Sequence, residues 1–303
     1  GSELSLCTGA LGASRASYAL ALDCEPDQIN PRWEEALVNP LKPAIVEKAA
    51  CQEVVLMGDE AKLSDLPVPT WTPGKDPAPY ITTTVMTKLV DSDNQNSGVY
   101  RTLVRDDHHV VVNMNPRRGG NDQCETWWSQ GKAAPVAWVI GADPAYQLAS
   151  VATMPTGMQE MEVAGGLMGE PIELVKCVTN DILVPANAEI IIEGVIEPGE
   201  RDTEGPFGEN LGFMCEVSQK PVARITAITR RKDAIYYGMT SQMPPSESTM
   251  LQSNATAGMI NKLLRHDLGE RTICDFHIDL TFGGQMAHGI IAMTPQYKGH
   301  GMK

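Results

Sequence analysis

Two carboxylates, Glu204 and Glu209, stand five residues apart in the run Glu204-Gly205-Pro206-Phe207-Gly208-Glu209-Asn210. Pro206 fixes its own φ and drives Gly205 toward extended geometry, while Gly208 opens backbone conformations closed to other residues. The segment is therefore expected to be a stiff loop and not a helix, and such a loop can aim both acids into one pocket. Close carboxylates split their proton affinities, so one of them can hold a proton near neutrality and act as a general acid. Taken alone, a pair like this is more often an acidic surface turn, because charges are usually solvated. Its meaning depends on what the rest of the chain brings to it.

Other stretches offer partners. Asn96-Ser97-Gly98-Val99-Tyr100-Arg101 reads as a turn running into a strand. Asn96 offers an oxygen to a hard cation and Arg101 a fork for carboxylates, although Asn and Gly are also ordinary turn residues. Arg117-Arg118-Gly119-Gly120 reads as the close of a hairpin, where main-chain N–H groups and a guanidinium approach a phosphate together. The other basic cluster, Arg230-Arg231-Lys232, reads as a solvated hairpin turn. Glu160 and Glu162 lie on a short helical segment, either facing water or with one of them binding a divalent metal. His108 and His109 fall in a hairpin turn and are read as exposed; Trp127, Trp128 and Trp138 are read as core. The chain has no G-x-S-x-G, P-loop, H-E-x-x-H or G-x-G-x-x-G motif.

The composition sets limits on function. At 303 residues the chain has the length for two domains and the make-up of an ordinary globular protein. A net charge of −14 argues against nucleic acid as a partner, since phosphate binding needs a basic surface. The seven cysteines are scattered and never form a C-x-x-C pair, which predicts reduced thiols and a cytoplasmic location. No apolar run reaches the length of a membrane span and nothing reads as a signal peptide, so no membrane partner is expected.

The elements that must position these residues can be read in order. Residues 1–50 look helical, Ala- and Leu-rich as far as Leu22 and again near 43–50. Pro67, Pro69, Pro73, Pro77 and Pro79 make 63–80 an extended linker and a boundary. From Ile81 the pattern is β: a strand over 81–90, then a hairpin from 99–104 to 110–115. A buried strand follows at 136–140, then helices at 144–154 and 158–167, the first with Pro144 in its opening turn. Strands are expected at 172–178, 189–196, 222–229 and 234–239, the last two joined by the basic turn. Ala257, Ile260 and Leu264 share a helical face, and strands close the chain at 273–279 and 289–293. The class is α+β, a central β-rich domain between two α/β pieces.

Taken in order, these pieces resemble the UbiD family of decarboxylases, which use prenylated FMN. The likeness runs through Leu63-Ser64-Asp65-Leu66-Pro67-Val68-Pro69, Pro79-Tyr80-Ile81-Thr82 and Asn96-x-Gly98-x-Tyr100-Arg101. It continues through Arg118-Gly119-Gly120, Gly141-Ala142-Asp143-Pro144-Ala145 and Glu160-x-x-x-Ala164-Gly165. Val184-Pro185-Ala186-Asn187-Ala188-Glu189 and the Glu204–Glu209 loop complete it. Each motif is weak alone; together, in the family's order, they are specific.

The resemblance implies a split β-barrel that binds prenylated FMN at 81–240, preceded at 1–80 by an N-terminal α/β segment and the Pro-rich linker. It implies the start of a C-terminal α/β oligomerisation domain, cut short, at 241–303. Arg101, Glu204 and Glu209 match an Arg–Glu–Glu network whose last acid donates the proton. Asn96 and Glu160 match ligands of Mn²⁺ (or Mg²⁺), with K⁺ as an accompanying ion. The cofactor lining is matched by Asn96, Val99, Tyr100, Arg101, Asn113, Met114, Asn115, Arg118, Gly119 and Glu160. Where some members carry a histidine ligand, this chain has Gly119 and no side chain to offer.

The implied reaction is the reversible, non-oxidative decarboxylation of an aromatic, heteroaromatic or α,β-unsaturated acid. Losing CO₂ from an sp² carbon leaves charge with nowhere to go, and the modified flavin is the electron sink. The implied partners are the small-molecule acid, a flavin prenyltransferase as cofactor supplier, and further copies of the chain in a homo-oligomer. Two other readings stay open at this point: a split-barrel FMN redox enzyme, and a catalytically silent subunit of a decarboxylase complex.

Overall fold

The computed structural model describes residues 2–154, 157–280 and 288–302. Nine strands pair antiparallel in one sheet: β1 (Val54–Met57), β2 (Tyr80–Ile81), β3 (Thr84–Lys88), β4 (Gln95–Val99), β5 (Thr102–Val104), β6 (His109–Val112), β7 (Ala134–Ile140), β8 (Ile190–Glu204) and β9 (Ser218–Arg230). Their order is β2-β5-β6-β9-β8-β7-β3-β4, with β1 laid against Ala227–Arg230 of β9.

Two short links force this sheet to curl. β2 and β3 lie six strand spacings apart in that order, yet only Thr82-Thr83 separates them in the chain. β4 and β5 are equally far apart, with only Tyr100-Arg101 between them. Six spacings laid flat would span about 29 Å, whereas a link of this length reaches about 10 Å. The sheet therefore bends until its two edges meet. Trp138 of β7 accordingly donates to Thr102 Oγ1 of β5 at 2.9 Å, although three strands lie between theirs in the sheet. Tyr100 and Arg101 are thus fixed at the seam.

Among the described residues there are six α-helices: α1 (Arg15–Ala21), α2 (Ile29–Val38), α3 (Gly119–Trp128), α4 (Pro144–Val151), α5 (Glu160–Met168) and α6 (Glu247–Lys262). All seven residues of β7 are buried, since α3 covers the face turned away from the barrel interior. Asp143 caps α4 by accepting from the Ala145 N–H at 2.8 Å, and Pro144 occupies the first turn as expected. α2, α4, α5 and α6 pack together, with Trp33 fully buried where Gly258 leaves room for its ring. The architecture is mixed α+β, and the two terminal strands expected from sequence, Ile273–Asp279 and His288–Met293, pair antiparallel with each other.

Four local expectations are corrected. The second helix of the N-terminal region is α2, not a segment at 43–50; Pro31 is tolerated in its first turn. Ala44–Ile45 instead forms a short strand parallel to Glu173–Leu174. Asn96 to Gly98 lie inside β4, where pairing with β3 overrides the turn tendency of Asn and Gly. Arg118-Gly119 does not close a hairpin: Arg118 is the N-cap and Gly119 the first residue of α3. Arg230-Arg231-Lys232 does not join paired strands either, because Ile235–Gly238 leaves the sheet and pairs in parallel with Ser5–Thr8.

Candidate active site

Arg101, at the seam, meets Glu204 at the end of β8. Its Nε donates to Glu204 Oε1 at 2.8 Å and its Nη2 to Oε2 at 3.1 Å, a bidentate fork. Nη1 donates to Glu209 Oε1. The Glu204 side chain has no solvent exposure and that of Arg101 has 12 %, whereas Glu209 keeps 37 %. The two acids therefore differ: one is locked behind the arginine, the other faces open space. Burial works against the Arg101 charge, but the hydrogen bonds and charge of Glu204, with Glu209 behind, raise its pKa above the ordinary value.

The loop is shaped to deliver Glu209. Gly205 adopts φ +94°, a region where a side chain is strained, and a Cβ there would also come within 3.0 Å of the Glu216 carbonyl. Glu209 N–H donates to Phe213 O at 2.7 Å and Gly212 N–H to Glu209 O at 2.9 Å, so the acid sits on a tight turn. The Tyr80 hydroxyl accepts from Gly205 N–H at 3.1 Å, anchoring the loop to β2.

Glu209 and Arg101 face a cavity of about 530 Å³. Of the residues proposed from sequence, Asn96, Val99, Tyr100, Asn113, Asn115, Arg118, Gly119 and Glu160 also line it. Two do not. Glu204 lies behind Arg101, and the Met114 side chain, only 1 % exposed, turns into the core, as an apolar residue just past the end of β6 must if it is to leave water. A larger cavity of about 660 Å³ between the N-terminal strand and Arg230–Ile235 gathers acids and bases without such a network, so volume alone does not mark the site.

One wall is a cradle. Tyr100 hydroxyl accepts from Gly120 N–H at 3.0 Å, and a Cβ on Gly98 or Gly120 would stand 2.9 or 3.0 Å from its ring. A Cβ on Gly119 would collide with Asn96 Oδ1. The buried Asn96 Nδ2 has no hydrogen-bond partner among the described residues. Glu160, the first residue of α5, has its pKa raised to about 6 by burial, against hydrogen bonds from its own and the Ser97 backbone. Among the described residues it has no cationic partner, and no three His, Cys, Asp or Glu side chains group as a metal site. An under-solvated carboxylate, an amide with spare capacity and the N-terminus of α3 suit an anion bridged by a hard cation. Such a cation would rest on two protein side chains, Asn96 and Glu160, and take its remaining oxygens elsewhere.

Sequence reasoning missed much of the remaining lining: Thr82, residues 150–154 at and just beyond the end of α4, and Met239, Ser241, Ser248 and Gln252 around the start of α6. Small and apolar types at helix ends carry no chemical signal, and only the fold assembles them. Cys215, whose sulfur accepts from Arg101 Nη2 at 3.0 Å, was likewise unmarked.

An antiparallel sheet curled into a half-barrel thus carries a clamped arginine at its seam, beside a cavity lined by Glu209, Glu160, Asn96 and the start of α3. Residues 44–244 match the 3-octaprenyl-4-hydroxybenzoate carboxy-lyase Rift-related domain, and the chain belongs to the UbiD family. It is similar to an evolved dimeric form of the UbiD-class enzyme HmfF from Pelotomaculum thermopropionicum in complex with prFMN: TM-score 0.88, 30% identity, covering 99% of this chain and 69% of that one. It is also similar to vanillic acid decarboxylase of Sedimentibacter hydroxybenzoicus in closed form (TM-score 0.84, 26% identity, 98% and 64% covered). A third match is a 3,4-dihydroxybenzoic acid decarboxylase from Enterobacter cloacae (TM-score 0.83, 28% identity, 95% and 61% covered). The chain spans 69%, 64% and 61% of the length of these three solved structures.

Proposed function

We propose that this chain carries the prenylated-FMN site of a decarboxylase and catalyses reversible, non-oxidative loss of CO₂ from an aromatic, heteroaromatic or α,β-unsaturated acid. The observation that carries this reading is the single guanidinium that bonds both Glu204, buried behind it, and Glu209, which lines the cavity with it. Family membership and likeness to decarboxylases support it. When bound, the cofactor would supply an electron sink for the charge left by departing CO₂.

The chain's own residues have the remaining tasks. A guanidinium has five N–H donors. Glu204 takes one from Nε and one from Nη2, Cys215 the other from Nη2, and Glu209 one from Nη1. The fifth, on Nη1 beside Glu209, is left for a substrate carboxylate. An acid held there has its scissile bond next to Glu209, so the group that lets CO₂ go is already beside the proton that must replace it. Glu204, fully buried, keeps the fork oriented. Met154 and Met239 line the cavity and limit water. Asn96 and Glu160 would hold Mn²⁺ or Mg²⁺ against the cofactor phosphate, with Arg118 and the first amides of α3 beside it. In this reading 81–240 is the flavin-binding unit, 241–303 begins an oligomerisation domain, and a flavin prenyltransferase supplies the cofactor.

The test is co-expression with such a prenyltransferase, mass spectrometry of the released cofactor, and CO₂ assay over a panel of acids. The expected result is FMN carrying a prenyl unit and CO₂ from at least one acid. Plain FMN that turns over NAD(P)H would point to a redox enzyme. Loaded protein that releases CO₂ from no acid would point to a silent subunit.

A further inference from the structure

Arg101 is held on more than its two carboxylate sides. The Phe207 ring lies under the guanidinium, its centroid 5.3 Å from Cζ. Cys215 Sγ stands beside it, accepting from Arg101 Nη2 at 3.0 Å. The same sulfur accepts from the Phe207 N–H at 3.2 Å, and the Cys215 N–H donates to Phe207 O at 2.8 Å. Phe207 is 1 % exposed and packs on Tyr80 with ring centroids 4.4 Å apart. Cys215 therefore fastens two things at once: the base of the turn that carries Glu209, and the free edge of the arginine.

We propose that Phe207 and Cys215 form a positioning clamp that fixes the Glu209 turn relative to Arg101 during proton delivery. The proposal rests on the decarboxylase reading and deepens it. The Glu204 fork bonds the guanidinium at two donors and suffices to orient its plane, so acid binding does not need the sulfur. The turn from Glu209 to Phe213 has no such fork. Its attachment to the seam runs through the Phe207–Cys215 pair and the Arg101 contact, and a shift of the turn displaces the acid from the reacting carbon. Losses from such misplacement reach about 100-fold per ångström. Burial raises the Cys215 thiol pKa and the Arg101 charge opposes that rise, with Glu204 and Glu209 adding to it; Tyr80 is the other titratable group nearby. A protonated thiol gives the clamp a neutral acceptor, which adds no third negative charge around one arginine.

The test compares Cys215→Val, which fills the space without accepting, with Cys215→Ser, which keeps an acceptor, both loaded with cofactor. For Cys215→Val the expected result is a kcat about 10- to 100-fold lower with KM within about twofold, and a displaced kcat–pH profile. Cys215→Ser should recover most of the rate and the parent profile. Val at the parent rate and profile, or Ser and Val equally impaired, would overturn the clamp. A second readout needs no turnover: the pH midpoint of Cys215 alkylation, followed by peptide mass spectrometry. That midpoint should rise in Arg101→Gln, because the cation that favours the thiolate is gone. An unchanged midpoint removes the Arg101–Cys215 contact. A raised midpoint in Arg101→Gln, when the cofactor-loaded parent releases CO₂ from no acid, leaves the contact standing and defeats the decarboxylase reading instead.

Discussion

Glu160 shows at the residue scale how a site is prepared at a cost in stability. Burial raises its pKa to about 6, above the ordinary value of 4.5. The folded chain thus binds this proton more tightly than the unfolded chain. The stability it contributes is present below about pH 4.5 and is lost as pH rises through about 6. At pH 7 the ionised side chain costs about 2 kcal/mol in the ligand-free protein. Glu160→Gln should therefore raise the denaturant midpoint of ligand-free protein at pH 7, with the gain shrinking toward pH 4.5. It should at the same time reduce Mn²⁺ and flavin content after purification. Unchanged metal and flavin would remove Glu160 as a ligand and leave the neighbouring Glu162 as the candidate. That Arg101 meets Glu204 and Glu209, and that Glu160 lines the same cavity, was foreshadowed because ionisable types recur in a recognisable order. Met114 was not, since chain order cannot say whether an apolar residue between two asparagines faces a ligand or the core. Cys215 lies eleven residues beyond Glu204 in an otherwise unremarkable stretch, and only the folded turn brings its sulfur to Arg101.

At the scale of elements, the loop after β8 depends on one backbone conformation. Gly205→Ala places a side chain at φ +94° and against the Glu216 carbonyl, which should cost about 1–3 kcal/mol and displace Glu209. Urea unfolding and kcat should fall together; a variant of parent stability and rate would show that the loop tolerates other geometries. Proline and glycine made this loop readable from sequence. β4 was harder. Its Asn-Ser-Gly run favours a turn locally, and its pairing with β3 and closure onto β5 come from parts of the chain on both sides. The start of α3 was misread for a related reason. Gly119-Gly120 looks like a turn, yet both glycines are needed where Asn96 and Tyr100 press against the helix. The apolar strand β7, the first half of β8 (190–196) and the capped helix α4 declared themselves, because burial on both faces and Asp-Pro capping leave local marks, whereas the polar, mostly exposed second half of β8 did not.

The whole molecule is tied together at Glu247, a buried acid whose role no motif announces. It accepts from Gly9, Leu11 and Gly12 N–H at 3.1, 2.9 and 3.2 Å, from Thr240 N–H at 3.0 Å and from the Tyr237 hydroxyl at 2.8 Å. One carboxylate thus fixes the N-terminal segment, the strand Ile235–Gly238 and the start of α6, whose Ser248 and Gln252 line the cavity. Glu247→Ala leaves five donors unmatched and should lower stability by on the order of 3–5 kcal/mol, read from the denaturant midpoint. A loss under about 1 kcal/mol would mean that water replaces the carboxylate freely. The proposed decarboxylation rests on a narrower point, that Glu209 carries the proton. The direct measurement is exchange of the product's vinyl or aryl hydrogen with solvent deuterium by cofactor-loaded parent and Glu209→Gln. Exchange is the protonation step run backward and needs no net turnover. It should proceed in the parent and fall about 10²- to 10⁴-fold in the variant, with acid binding kept because Arg101 and Glu204 are untouched. Parent-rate exchange in Glu209→Gln would contradict the account and leave the 204–210 loop a structural element.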